Sequence, residues 1–269
     1  MGLPFLYGTK FGRLILKLLT RPWISKTSGF LMDRGFSRCL IKGFVKKNGI
    51  DMNEYVPCKY KSFNKFFYRN IKPEMRPFDM EPTSYVSPCD GLLSVYRISD
   101  DLVIPVKQSR YSISDLLRDD EMAKQFDGGI CLVYRLCVNH YHRYSFNDSG
   151  RLGQYKFIPG ILHTVRPIAL RHVPVFTENA RECVIMDTDN YGKVAQIEVG
   201  AMLVGKIVNE KNITTFTRGL EKGHFEYGGS TIIQLLQPGK VELPQELYDV
   251  TDKEEETPVK MGQKLGTTI

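Results

Sequence analysis

Between Phe5 and Thr20 the apolar residues Phe11, Leu14, Ile15, Leu18 and Leu19 recur at helical spacing, with Lys10, Arg13 and Lys17 interleaved. This predicts an amphipathic helix with a basic side. Arg21-Pro22-Trp23 interrupts it, since proline lacks the donor and the freedom that an interior helical position needs. A second helix is predicted from about Ser25 to Lys47, carrying Phe30, Leu31, Leu40, Ile41, Phe44 and Val45 among five basic residues. Ser62 to Arg69 predicts a short aromatic helix, followed by a Pro-rich connector from Lys72-Pro73 through Arg76-Pro77 to Pro82. The boundary between a helical segment, 1–76, and a β-rich domain, 77–269, is placed there. Beyond it the pattern changes to short β segments separated by turns: Leu92–Tyr96, Leu102–Val106, Ile130–Val138, Gln154–Ile158, Cys183–Asp187, Val194–Val199, Met202–Val208 and Thr231–Leu236. Ser112-x-x-Asp115 before Leu116-Leu117 reads as a capping box opening one short helix. The acidic stretch Asp252–Glu256, with Pro258 and Gly262 after it, reads as a solvated loop or loose terminus.

Charge sharpens this division. Residues 1–76 hold 16 Lys and Arg against 4 Asp and Glu, while the whole chain of 269 residues carries +7. The rest is therefore mildly acidic, and the basic character belongs to the helices. Basic amphipathic helices with an aromatic residue at the break suit an anionic membrane surface; two helices packed on the body with a solvated basic face fit the same pattern. Nucleic acid also attracts basic segments, but no recognised nucleic-acid module is present. No uninterrupted apolar run is long enough to span a bilayer. Lys10, Arg13 and Lys17 interrupt what would be the core of a secretory signal. The six cysteines form no C-x-x-C pair and read as small buried hydrophobes in a reducing compartment.

Candidate chemistry gathers in four places. Gly228-Gly229-Ser230-Thr231 puts two side-chain-free residues before a hydroxyl, at the head of an apolar β-branched run. Such a site suits attack of the Ser230 hydroxyl on the Gly229 carbonyl, and equally a turn capping a buried strand. Ser87-Pro88-Cys89-Asp90-Gly91 sets a carboxylate in a turn, able to orient a histidine or to protonate a carbanion. His140 and His142 flank Tyr141 just after the Ile130–Val138 segment; they could share a face as a metal pair, but no third clustered ligand is evident, so no metal is assigned. Glu198 sits in an apolar strand with Arg181 as its expected partner.

In this order these segments resemble phosphatidylserine decarboxylases, pyruvoyl enzymes made as self-cleaving proenzymes. The matching stretches are Tyr60–Phe67, Ser87–Gly91, Tyr141-His142-Arg143, Phe176–Arg181, Glu198–Ala201 and Gly228–Thr231. The resemblance implies a helical N-terminus and a mostly antiparallel β core, barrel or sandwich, often in a homodimer; the count of predicted strands supports that α+β core. It also implies cleavage between Gly229 and Ser230 into a β-chain of 1–229 and an α-chain of 230–269, with Ser230 becoming the pyruvoyl group. That carbonyl then takes up the amine of phosphatidylserine as a Schiff base and serves as electron sink while carbon dioxide leaves, giving phosphatidylethanolamine. Asp90 and Ser230 map onto the family's triad aspartate and serine, and His142 onto its decarboxylation histidine. The family's triad base lies three residues after that histidine, where this chain has Ser145. A serine is no base at neutral pH, so His142 is expected to serve both steps, with His140 as the alternative. The other readings are a pyruvoyl decarboxylase of another amino-lipid or a soluble amino acid, and an uncleaved lipid-binding homologue. The implied location is peripheral, on the cytoplasmic face of a cell membrane.

Overall fold

The computed structural model describes residues 2–99, 111–202, 206–228 and 230–269. The N-terminal region is helical: α1 (Leu3–Gly8), α2 (Lys10–Leu19), α3 (Pro22–Met32), α4 (Cys39–Asn48) and α5 (Phe63–Phe67). The single helix predicted over 5–20 is thus two. Thr9 adopts an extended backbone and its hydroxyl caps α2 by accepting from the Gly12 amide at 2.9 Å. Gly12 permits the two helices to touch, because a Cβ there would lie 2.0 Å from the Phe5 carbonyl oxygen. Pro22 starts α3, where its missing N–H costs nothing. The predicted Ser25–Lys47 helix is split as well. The buried Ser37 hydroxyl bonds the Arg34 carbonyl at 2.6 Å and accepts from the Phe63 amide at 2.8 Å, fixing the break onto α5.

The remainder is sheet with short helices. In order it runs β1 (Ser84–Val86), β2 (Gly91–Arg97), α6 (Ile113–Leu117), α7 (Asp120–Lys124), β3 (Ile130–Leu136), β4 (Arg143–Ser145), β5 (Gly150–Leu152) and β6 (Lys156–Ile158). There follow α8 (Pro167–Leu170), α9 (Val175–Glu178), β7 (Arg181–Thr188), β8 (Gly192–Val199), β9 (Ile207–Asn209), β10 (Thr215–Phe216) and β11 (Glu221–Phe225). The chain closes with β12 (Ser230–Leu236), β13 (Val241–Glu242), α10 (Gln245–Asp252), β14 (Thr257–Val259) and β15 (Lys264–Thr268). Ser112 caps α6 as predicted, accepting from the Asp115 amide at 3.0 Å.

The main sheet has nine strands in the order β10-β5-β7-β8-β12-β3-β2-β14, with β6 also on β7, and its pairs are antiparallel. Its edge strands do not meet, so the sheet is open and no barrel closes among the described residues. Two three-stranded sheets, β1-β15-β13 and β4-β11-β9, flank it. The acidic C-terminal stretch is no loose end: Pro258 lies in β14 against Leu92, and β15 pairs with β1. The segment predicted over Met202–Val208 is strand only from Ile207, and residues 203–205 and 102–106 lie outside the described ones.

Two apolar clusters organise the packing. The larger combines the main sheet with Leu6, Tyr7 and Leu16 of α1 and α2. The smaller joins Phe63, Phe66 and Phe67 of α5 to Tyr141, Met261 and Tyr227. The helical segment therefore shares its interior with the β region. Cys89, Cys131 and Cys183 are buried as expected, whereas Cys39 and Cys58 are exposed; none is in a disulfide.

Candidate active site

Strand register assembles the site. β2, β3 and β12 are neighbours, with Leu92 opposite Arg135 and Ser230 opposite Leu136. Asp90 before β2, Cys137 after β3 and Ser230 at the start of β12 thus lie at one end of the sheet. From β3 the chain turns, the His140 amide donating to the Cys137 carbonyl at 2.9 Å, and enters β4. Pairing with β11 then brings the His142 carbonyl to the Phe225 amide at 2.9 Å, and β11 leads through Tyr227 and Gly228 to Ser230. Phe67 ties these pieces together, its ring 4.0 Å from that of His142 and 5.4 Å from that of Tyr227. Gly228 has φ 136°, a conformation open to glycine and rare for other residues. Gly229 lies outside the described residues.

The two histidines differ in what their rings can still do. Nδ1 of His142 is 3.0 Å from the His140 carbonyl, which can only accept, so this nitrogen carries the proton. In the neutral ring Nε2 then holds the free lone pair, and Nε2 is buried without a hydrogen-bond partner. Burial, reinforced by the Arg69 guanidinium, lowers the His142 pKa to about 3, so the ring is neutral at pH 7. His140 is wired the other way. Its Nδ1 accepts from the Cys137 amide at 3.1 Å, so its lone pair is already engaged and its Nε2 carries the proton. Ser230 matches His142: it is fully buried and its Oγ has no partner among the described residues. Buried polar atoms are seldom left so, and two at one sheet end mark a place built for something other than stability.

Asp90 is buried and held by a cation rather than a histidine. Arg76 grips both carboxylate oxygens, Nε to Oδ1 at 2.7 Å and a terminal nitrogen to Oδ2 at 2.6 Å. The same guanidinium reaches Glu54 at 3.1 Å, and the Met261 amide donates to Asp90 Oδ1 at 3.0 Å. Ser145 is buried beside this group, its Oγ 3.4 Å from the Met261 sulfur and its amide on the Pro88 carbonyl at 2.9 Å. Met261 thus contacts both Ser145 and Asp90. Neither Arg76 nor Met261 could be singled out beforehand, since Arg76 sits in a Pro-rich connector and Met261 in a stretch that reads as loose. The only signal was the isolated cation before a boundary.

The expected Arg181–Glu198 pair is absent. Arg181 is buried, but its guanidinium donates to the carbonyls of Asp115, Leu116, Thr177 and Asn179. Glu198 instead pairs with Lys222 at 2.7 Å, both side chains fully buried. Gln196 and Asn209 complete its shell at 2.7 and 3.1 Å. Among the described residues no cluster of three or more His, Cys, Asp or Glu is arranged to hold a metal.

A cleft of about 510 Å³ opens at this sheet end. Tyr227 and Gly228 form part of its wall, as do Cys137 and Val138 from the loop leading to the histidines. Leu3 of α1 and Asn48 of α4 reach its rim, so the N-terminal helices border the entrance. The cleft and the unpartnered Ser230 and His142 atoms together fit a group made from Ser230 itself, with access for a substrate beside it.

Comparison with known proteins agrees with the geometry. Residues 63–267 match the family model of phosphatidylserine decarboxylase. The chain is 42% identical to phosphatidylserine decarboxylase proenzyme 2 of Clostridium acetobutylicum, over 99% of this chain and 91% of that protein. It is 40% identical to the phosphatidylserine decarboxylase proenzyme of Ruminiclostridium cellulolyticum, over 98% of this chain and 90% of the relative. The corresponding protein of Clostridium perfringens is 37% identical, over 97% and 90%. The chain belongs to the phosphatidylserine decarboxylase family.

Proposed function

We propose that this protein decarboxylates phosphatidylserine to phosphatidylethanolamine at a membrane surface, after cleaving itself between Gly229 and Ser230. The observation that carries the reading is the pair of buried, unpartnered atoms, Ser230 Oγ and His142 Nε2, at one sheet end in a chain of this family. In the cleavage step His142, neutral and with its lone pair on Nε2, takes the proton from the Ser230 hydroxyl as that oxygen attacks the Gly229 carbonyl. His140 is the weaker candidate, because its lone pair is spent on the Cys137 amide. Asp90, neutralised by Arg76, fixes the turn that starts β2 and sets the charge around the histidines. The pyruvoyl group derived from Ser230 supplies a carbonyl that holds the substrate amine and accepts electron density as carbon dioxide departs. His142 then stands where it can return a proton.

The membrane part of the reading rests on α2 to α4. Phe11, Leu14, Leu18, Trp23, Phe30 and Leu40 are exposed there, alongside Lys10, Arg13, Lys17, Lys26 and Lys42. This arrangement suits insertion of apolar side chains beneath anionic headgroups, on the cytoplasmic face of a membrane. No helix among the described residues is long and apolar enough to cross one.

Intact mass under denaturing conditions tests the proposal. Two chains matching 1–229 and 230–269 are expected, the second lighter than a serine-started peptide by one ammonia. His142→Ala is expected to remain one chain and His140→Ala to be cut. The reverse pattern would overturn the assignment of the base, and a single wild-type species of 30.8 kDa would favour an uncleaved lipid-binding protein.

A further inference from the structure

We infer that Arg166 holds the phosphodiester of the lipid headgroup and is a specificity-determining residue of this enzyme. Arg166 lines the same cleft as Gly228, beside Thr164 and Pro167. Two arginines and no carboxylate line it among the described residues, which suits an anionic ligand. They are not equivalent. Arg135 is already bound by both oxygens of Glu256 and also donates to the Cys137 sulfur. Arg166 is exposed and makes no ion pair among the described residues, so its planar fork of donors is available. The walls around it, Leu3, Val138, Pro167 and Met202, are apolar and suit the start of acyl chains.

The reaction itself says which anion Arg166 should hold. Phosphatidylserine offers a carboxylate and a phosphodiester. An ion pair to the carboxylate would be lost as carbon dioxide leaves, stabilising the ground state against the transition state and slowing the reaction. The phosphodiester keeps its charge throughout, so binding it strengthens substrate and transition state alike. The expected signature is therefore in KM rather than kcat.

This inference rests on the decarboxylase reading, and the test separates the two. Wild type, Arg166→Ala, Arg166→Lys and Arg166→Glu are first weighed intact; all four should be cut, since Arg166 has no part in self-cleavage. Turnover is then measured on a short-chain phosphatidylserine below its micelle concentration, which removes any effect of bilayer attraction. Arg166→Ala should raise KM about tenfold or more, the worth of a charge-assisted hydrogen bond, with kcat within about twofold. Arg166→Lys should recover part of the loss and Arg166→Glu deepen it. An unchanged KM overturns the inference, as does a fall in kcat at constant KM, or a defect seen only on vesicles. Inorganic phosphate competing as well as the short-chain lipid binds would mark a free-anion site and overturn it too. If the wild type proves uncut or inactive, the decarboxylase reading falls. The subsite is then read by calorimetric binding of the same short-chain lipid, where equal affinity of wild type and Arg166→Ala overturns it.

Discussion

The helices α2 and α3 and the centre of the main sheet invert one another. In α2 the buried residues are Gly12 and Leu16 while Phe11, Leu14 and Leu18 face outward; in α3 Ser25 and Gly29 are buried while Trp23, Phe30 and Leu31 are exposed. In the sheet, Glu198, Lys222, Gln196 and Gln234 lie fully buried and bonded to one another, with Gln234 passing a donor to Gln196 at 2.8 Å and Gln196 one to Glu198. Large apolar groups outside and charges inside both run against the solubility of a side chain in water. The helices tolerate the inversion by having something other than water to face. The sheet tolerates it only because every partner is present.

The sharpest way to break this comparison is to remove one partner inside. Lys222→Met leaves Glu198 buried without its cation and should cost about 3–5 kcal/mol in urea unfolding. Adding Glu198→Gln should return most of that; a single variant as stable as wild type would show that the pair is not the constraint. Outside, the effect should appear only with lipid. Replacing Phe11 and Trp23 with serine should weaken sedimentation with anionic vesicles by more than tenfold, given roughly 1.5–3 kcal/mol per large apolar side chain buried. Stability in water should move by less than about 0.5 kcal/mol per site, as for surface positions generally. Loss of fold in that variant, or undiminished binding, would contradict the outward role.

The smallest effect is a slope with pH. Burial first, and nearby cations at His142 and His224, lower the pKa values of His142 to about 3 and of His163 and His224 to about 4. Between an ordinary 6.5 and these values the unfolded chain binds protons that the native chain refuses, so stability must fall as pH drops through that window. Above pH 6.5 these rings contribute no slope. His163→Gln with His224→Gln should flatten the decline between pH 6.5 and 5, as read from unfolding midpoints. An unaltered slope would mean the rings titrate normally in the folded protein.

Much of this was legible from local pattern. Period-two apolar runs located β2, β3, β7, β8 and β12, and the Ser62 and Ser112 caps located two short helices. What escaped was settled by distant contacts. The break at Ser37 depends on Phe63, and the C-terminal strands exist because β2 and β1 offer them edges. At the site, the order of motifs marked Ser230, Asp90 and His142. It could not show that Arg76 closes on Asp90, or that Lys222 rather than Arg181 answers Glu198, since both pairings bridge strands or loops with no fixed spacing. The contrast between the two histidines lies in which ring nitrogen meets which backbone group, and nothing in Asn139-His140-Tyr141-His142 encodes that by itself.

β12 begins at Ser230 and runs between β3 and β8, pairing with one along seven residues and with the other along six. A cut at its first residue severs the chain but none of those ladders. The forty residues that follow also supply β13, β14 and β15, which are laced onto the first half. The two products can therefore part only if the central sheet is dismantled. Maturation becomes a one-way change made on a finished fold, and a molecule unfolded afterwards would have to find its missing central strand by collision rather than along its own chain.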